Sequence, residues 1–313
     1  MRKTIRLFLL ILAAAVLILM LCGLYFVARD YGDYFIETKG TLIESKTTLF
    51  AADTLFRWEW LSVRSDAGLT VECGLLIPAN EKALRRYPVV ILMGGKTTGK
   101  HAIDYALDIR NVVIVAPDYS YTPRESYNVM QFLADVPEMR KASLDMVPSV
   151  MLLTDYLWRR PDVDTTKIIL LGYSFGAPFV PCIAARDKRA AVAAIVFGGG
   201  DIRGMIRHNV RRFEGPFVSE FVGIVGGVLL RPLEPLRYAG AISPMPLLMI
   251  NGAEDEQIPR KYAEALYARA GEPKKLVWLE ARHVNPRNVD LTRLIVGTLK
   301  HELVQMRLLT GEN

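Results

Sequence analysis

Cysteine is scarce in this 313-residue sequence, and what is present does not pair: Cys22, Cys73 and Cys182 are odd in number, with no C-x-x-C spacing. No disulfide framework and no zinc or dithiol redox site is expected. Histidine is limited to His101, His208, His283 and His301. A long run of one charge is also missing, since 39 Lys and Arg stand against 33 Asp and Glu, a net charge of +6 spread along the chain. That pattern carries no nucleic-acid signal. Repeats and low-complexity tracts are absent, and a hydrophobic content of 51% is too high for a disordered chain. One large domain of catalytic size is the expectation.

The amino terminus differs from everything after it. Arg2, Lys3 and Arg6 precede an uncharged stretch, Leu7 to Val27, which as a helix would be about 31 Å long, enough to cross the hydrocarbon core. A cleaved signal peptide has a shorter apolar region, roughly 7 to 15 residues, and no small-x-small site ends this stretch cleanly. Leu21 before Cys22 also argues against lipoprotein processing. The reading is a signal anchor with the amino terminus in the cytoplasm and the catalytic domain outside, which in a bacterium means the periplasm or outer face. Residues 1–28 are taken as the anchor, 29–50 as a stalk and 51–313 as the folded domain.

Within that domain, strand-like runs occur at Leu55–Val63, Leu69–Ile77, Val89–Met93, Val112–Ala116, Ile168–Gly172, Ala193–Phe197, Pro246–Asn251 and Leu276–Leu279. Several are short and continuously apolar, as in strands buried on both faces of a parallel sheet. Helical patterns alternate with them at Ala142–Arg159, Phe175–Arg186, Arg260–Ala270 and Val289–Leu308. The pattern predicts an α/β fold with a mostly parallel, eight-stranded sheet flanked by helices. Residues 201–241 interrupt the alternation and read as a cap. There Arg203, Arg207 and Arg211 fall on one helical face, followed by the apolar, Gly-rich Pro216–Leu230. The bland reading is a solvated basic face and a core-packed helix; the sharper one is a lid that rests on anionic headgroups and admits an acyl chain.

Gly172-Tyr173-Ser174-Phe175-Gly176 is a G-x-S-x-G motif placed after the apolar run Ile168–Leu171 and before a helical pattern. A serine nucleophile needs such a tight strand-to-helix turn, and glycines relieve the crowding it creates. The hydroxyl also needs a base. His283 follows the last strand, at the sheet edge where carboxyl ends gather, whereas His301 lies in a helix, His208 in the cap and His101 near a loop. The base in turn needs a carboxylate to orient it. Asp255, in the loop Asn251–Pro259 after the seventh predicted strand, is the choice, with Glu254 and more distantly Asp201 as rivals.

The chain order Ser174, Asp255, His283 resembles that of the α/β-hydrolase superfamily. The resemblance runs from about Leu55 to Leu308 and is most similar to the dienelactone-hydrolase and peptidase-like esterase branch. Its markers are Pro161-Asp162-Val163-Asp164, the Gly-Tyr-Ser-Phe-Gly turn, the Gly252–Pro259 loop and the late His283. It implies a catalytic triad and an oxyanion hole built from the N-H of Phe175 and one from Met93-Gly94-Gly95-Lys96. Met93 stands where many members carry histidine, so Gly95 is favoured only slightly over Lys96. The implied activity is cleavage of an ester-type acyl bond by a serine hydrolase. Acyltransferase, thioesterase and peptidase chemistry on the same triad stay open. The substrate would be a small acyl compound, lipid-like if the anchor and cap count, and no cofactor or metal is called for.

Two other classes compete. Gly94 to His101 approaches a phosphate-binding loop, G-x-x-x-x-G-K-[ST], but His101 replaces the hydroxyl that holds magnesium in an NTPase. A non-catalytic binding module would leave the three filled polar roles unexplained.

Overall fold

The computed structural model describes residues 2–29, 31–79, 86–105, 109–122, 124, 129–284 and 288–310. Its centre is a nine-stranded sheet, ordered β1-β2-β3-β5-β4-β6-β7-β8-β9. The strands are β1 (Leu42–Ala52), β2 (Phe56–Ser65), β3 (Thr70–Pro78), β4 (Tyr87–Met93), β5 (Val113–Pro117), β6 (Val163–Tyr173), β7 (Val192–Val196), β8 (Leu247–Gly252) and β9 (Lys274–Leu279). Strands β1 to β3 and the β3–β5 pair are antiparallel, and every pairing from β5 through β4 to β9 is parallel.

All eight strand-like runs are strands, and the ninth is a correction to the expected count. β1 forms from residues 42–52, most of which were read as stalk, and it pairs along its length with β2. Its residues are almost all exposed, so it has neither an apolar run nor a clear alternation to reveal it. Main-chain hydrogen bonding to one neighbour holds it, as befits an edge strand. The rest of the expected stalk is not a spacer either. Helix α2 (Gly32–Lys39) buries Phe35 completely against the core, with Tyr31 beside it. Burial and the Asp145 carboxylate push the Tyr34 phenol up to about 12, so it donates a hydrogen bond to Asp145.

The central parallel strands are the most deeply buried; β5, β7 and β8 expose nothing, while β9 at the edge is mostly half-buried. Side chains alternate between two apolar layers. One lies under α3 (Val129–Trp158), α4 (Phe179–Arg186), α7 (Pro235–Ile242) and α8 (Arg260–Arg269). The other lies under α9 (Val289–Gln305) and a short 3-10 turn, Gly99–Tyr105. That second face has thinner cover. Helix α3 starts well before Ala142 and carries Pro137 and Pro148 within it.

The cap holds α5 (Ile202–Arg211) and α6 (Pro216–Leu229), followed by α7. Helix α6 is not core-packed. Its large side chains face outward, with Phe217 90% and Phe221 66% exposed. Before the domain comes α1 (Arg2–Ala28), in which Ile5–Tyr25, 21 residues of mean hydropathy 3.1, is long and apolar enough to cross a membrane and has no buried residue among those described.

The docking of α2 can be checked directly. Phe35→Ala leaves a cavity in the core and is expected to cost about 3–5 kcal/mol, lowering the urea midpoint; an unchanged midpoint would restore the stalk.

Candidate active site

Register brings the site together. In a parallel sheet all carboxyl ends share one edge, and Met93 of β4 pairs beside Gly172 of β6 while Gly252 of β8 pairs beside Leu279 of β9. The Gly94-Gly95 loop, the Ser174 turn, the acid loop and the His283 loop therefore leave from the same edge.

Ser174 sits between β6 and α4 with φ of +52°, the left-handed region that L-residues rarely occupy. Space is the reason the turn needs glycine. A Cβ on Gly176 would overlap the Met93 carbonyl, and one on Gly172 would overlap the backbone at Gly176. The turn is thus pressed against the end of β4, and Ser174 is held half-buried at the rim.

From β6 to β9 are three strand spacings, about 14 Å, so the His283 loop must fold back over the acid loop to reach Ser174. Backbone bonds from Ala253 N-H to Leu279 and from Glu254 N-H to Ala281 tie the two loops. Ser174 Oγ lies 2.9 Å from His283 Nε2, and His283 Nδ1 lies 2.7 Å from Asp255 Oδ2. The other Asp255 oxygen accepts the N-H groups of Gln257 at 2.7 Å and Ile258 at 2.8 Å. Both side chains of the pair are sealed from solvent, His283 at 6% and Asp255 at 0% exposure. The edge-on Phe197 ring, 5.6 Å from the imidazole, is one wall.

The rivals lie elsewhere. Glu254 is exposed. Asp201 caps α5 by accepting the Gly204 N-H. His208 Nε2 bonds the Glu256 carbonyl, while His101 and His301 are exposed. In the phosphate-loop look-alike, Lys100 is paired with Asp118, and the segment runs into a 3-10 turn rather than an α-helix whose N-H groups could cradle phosphate.

Gly95 and Ser174 line one cleft of about 200 Å³, with Leu92, Tyr173, Ile295 and Val296 among its apolar walls. Lys96 is exposed and does not line it. Tyr119 donates to the Gly94 carbonyl at 2.6 Å, and because the Gly94–Gly95 peptide is trans, that bond aims the Gly95 N-H the opposite way. Burial pushes the Tyr119 phenol well above its ordinary value, so it remains a donor. Phe175 follows Ser174 directly and packs edge-on to Tyr119 at 5.2 Å.

Two supporting residues went unseen in the sequence. Tyr119 has no local signal, since its reach to Gly94 follows from β4 and β5 being neighbours. Glu256 accepts the His283 backbone N-H at 3.2 Å. Burial raises its carboxyl pKa, but backbone hydrogen bonds, Arg282 and Arg212 outweigh that and hold it below the usual range. Its place beside Asp255 was the available clue.

No family model matches the chain. The acetyl xylan esterase 1 of Thermoanaerobacterium sp. JW/SL YS485 superposes on 87% of this chain and 94% of its own, at 15% identity and a TM-score of 0.59. The α/β hydrolase GrgF of Penicillium sp. sh18 does so over 82% and 97%, at 19% identity and a TM-score of 0.53. The chain has the α/β-hydrolase fold. Among curated proteins, YfhR of Escherichia coli K12 is 23% identical over 175 residues, 54% of this chain and 57% of YfhR. The chain thus spans a little over half the length of this relative. A non-glycine residue held at a left-handed φ, as Ser174 is, stores backbone strain of about 1–3 kcal/mol. Ser174→Gly should therefore be more stable than Ser174→Ala by about 1 kcal/mol in chemical unfolding, and equal stabilities would argue that no strain is held there.

Proposed function

We propose that the protein is a serine hydrolase that cleaves ester-type acyl bonds through an acyl-enzyme on Ser174. One observation carries the reading: an unbroken relay from the Ser174 hydroxyl through both nitrogens of His283 to the buried Asp255 carboxylate. Ser174 Oγ attacks the carbonyl carbon as its proton passes to His283 Nε2, and Asp255 accepts from Nδ1-H, fixing that tautomer and stabilising the imidazolium. The oxyanion is held by the N-H groups of Phe175 and Gly95, each such donor being worth about 100-fold to 1000-fold in turnover. His283 then returns the proton to the leaving oxygen. Water, deprotonated by the same imidazole, attacks the acyl carbon and frees Ser174.

Two features support an acyl group longer than acetate. The cleft beside Ser174 is lined largely by aliphatic side chains, among them Val90, Leu92, Ile114, Ile295, Val296 and Leu299, with Thr97, Thr98 and Thr292 also on its wall, and burying each methylene there is worth about 0.8 kcal/mol. The cover of α9 and a short 3-10 turn leaves room for a chain against the sheet. The acetyl xylan esterase and GrgF neighbours support the hydrolase class. Helix α1 serves as the membrane anchor, with the hydrolase domain on the extracytoplasmic side.

A fluorophosphonate probe is expected to label the wild type and not Ser174→Ala; equal labelling of both ends the assignment. Asp255→Asn should lower turnover of p-nitrophenyl esters by about 10,000-fold with the fold intact, and turnover undiminished in His283→Ala would remove the base. Val296→Trp, which narrows the cleft, should reduce kcat/KM for hexanoyl and octanoyl esters by about 10-fold or more while sparing acetyl esters. Loss spread equally over all chain lengths would place the acyl group elsewhere.

A further inference from the structure

Helix α6 is built inside out for a water-facing element. Its small residues face the protein: Ser219 and Gly223 are buried, and Gly223, Gly226 and Gly227 pack against Arg207, Ile206 and Arg203 of α5 with no room for a Cβ. Its large apolar residues face out. Phe217, Val218, Phe221, Ile224 and Val225 form a single exposed stripe, extended by Phe213 just before it, which is 81% exposed. A solvated helix places its apolar stripe against the core, and contiguous exposed apolar surface of this kind marks a binding face.

The neighbour of that stripe identifies what covers it. Helix α1 packs against α6, and the foot of α1 is joined to the end of α6 through Arg140. The Arg140 guanidinium donates to the Tyr31 hydroxyl, three residues past the Ala28 that ends α1, and to the Leu229 carbonyl at 3.0 Å. The exposed Tyr25 and Arg29 meet there over the buried Tyr31, the Arg29 guanidinium lying 5.8 Å from the Tyr25 ring and 5.1 Å from the Tyr31 ring; exposed aromatic and cationic side chains such as the first two settle at the membrane–water interface. If that cluster sits at the bilayer surface, one end of α6 is held at the same level.

We infer that α6 lies in the plane of the membrane, with Phe213, Phe217 and Phe221 sunk among the lipid acyl chains as a second contact beside the anchor. The only part of the proposed function this rests on is that α1 is the anchor. At about 21 Å long, α6 is too short to span, and a helix of this kind buries its apolar face about 5–10 Å deep. The arginines of α5 are placed to stay in the headgroup layer: Arg203 and Arg207 both pair with Glu220 on the flank of α6. The consequence reaches the site. His208 and Asn209 of α5 bond the carbonyls of Glu256 and Gln257 in the acid loop, so membrane seating of α6 turns the Ser174 edge of the sheet toward the bilayer.

The test is a depth measurement on the full chain in vesicles of phosphatidylethanolamine and phosphatidylglycerol. In a Cys22→Ala background, where Cys73 and Cys182 stay buried and unlabelled, nitroxide labels are placed one at a time at Leu17→Cys, Phe217→Cys and Phe221→Cys. All three are expected to be relaxed more by oxygen than by a water-soluble nickel chelate. A label at 17 in the bilayer with those at 217 and 221 in water overturns the inference and leaves the anchor standing. Labels in water at all three positions overturn both. As a second reading, Phe217→Ser/Phe221→Ser should lose hydrolysis of vesicle-embedded esters severalfold while keeping that of water-soluble esters; equal retention of both argues against a role for the contact in substrate capture.

Discussion

The parallel register of β4, β6, β7, β8 and β9 is the constraint on which the rest depends. Because those strands run in one direction, each ends at the same edge, and loops separated by more than a hundred residues converge there. A hydroxyl, an imidazole and a carboxylate meet there. What fixes their final geometry is the backbone. The acid loop is pinned to the histidine loop by main-chain bonds, and Asp255 is oriented by two N-H groups of its own turn.

Strain at Ser174 follows from the same register. The β6 strand delivers the chain against the end of β4, where the Met93 carbonyl leaves no space for a side chain at Gly176. The chain can turn there only with Ser174 in a left-handed conformation. Elsewhere that would be a defect. At this position it lifts the hydroxyl clear of the sheet and toward His283, and the buried strands on either side hold the turn in place.

The cap links the site to the outside of the molecule. Helix α5 is bonded to the acid loop, and α6 rides on α5 through glycines that bring the two backbones close. Its bulky side chains are thereby turned away from the protein. Neither helix has a core of its own, so their arrangement reflects what they contact on each side.

The sequence by itself determined the eight strands that bury apolar residues, the serine turn, and the order of the three site residues. Those signals are local: continuous apolar runs, glycines around a serine, polar residues just past a strand. It also carried the apolar segment from Leu7 to Val27, whose character needs no partner to be read. Tertiary structure alone decided what depends on neighbours. β1 buries too little to leave a pattern and exists because β2 offers hydrogen bonds; α2 looked like a spacer because the cavity that Phe35 fills is made by distant helices. Whether the Pro216–Leu230 apolar stretch faced the core or solvent turned on which of its faces met α5, and periodicity does not say which side of a helix has a partner. Tyr119 supports Gly94 only because β4 and β5 lie side by side, and strand order is a property of the folded sheet.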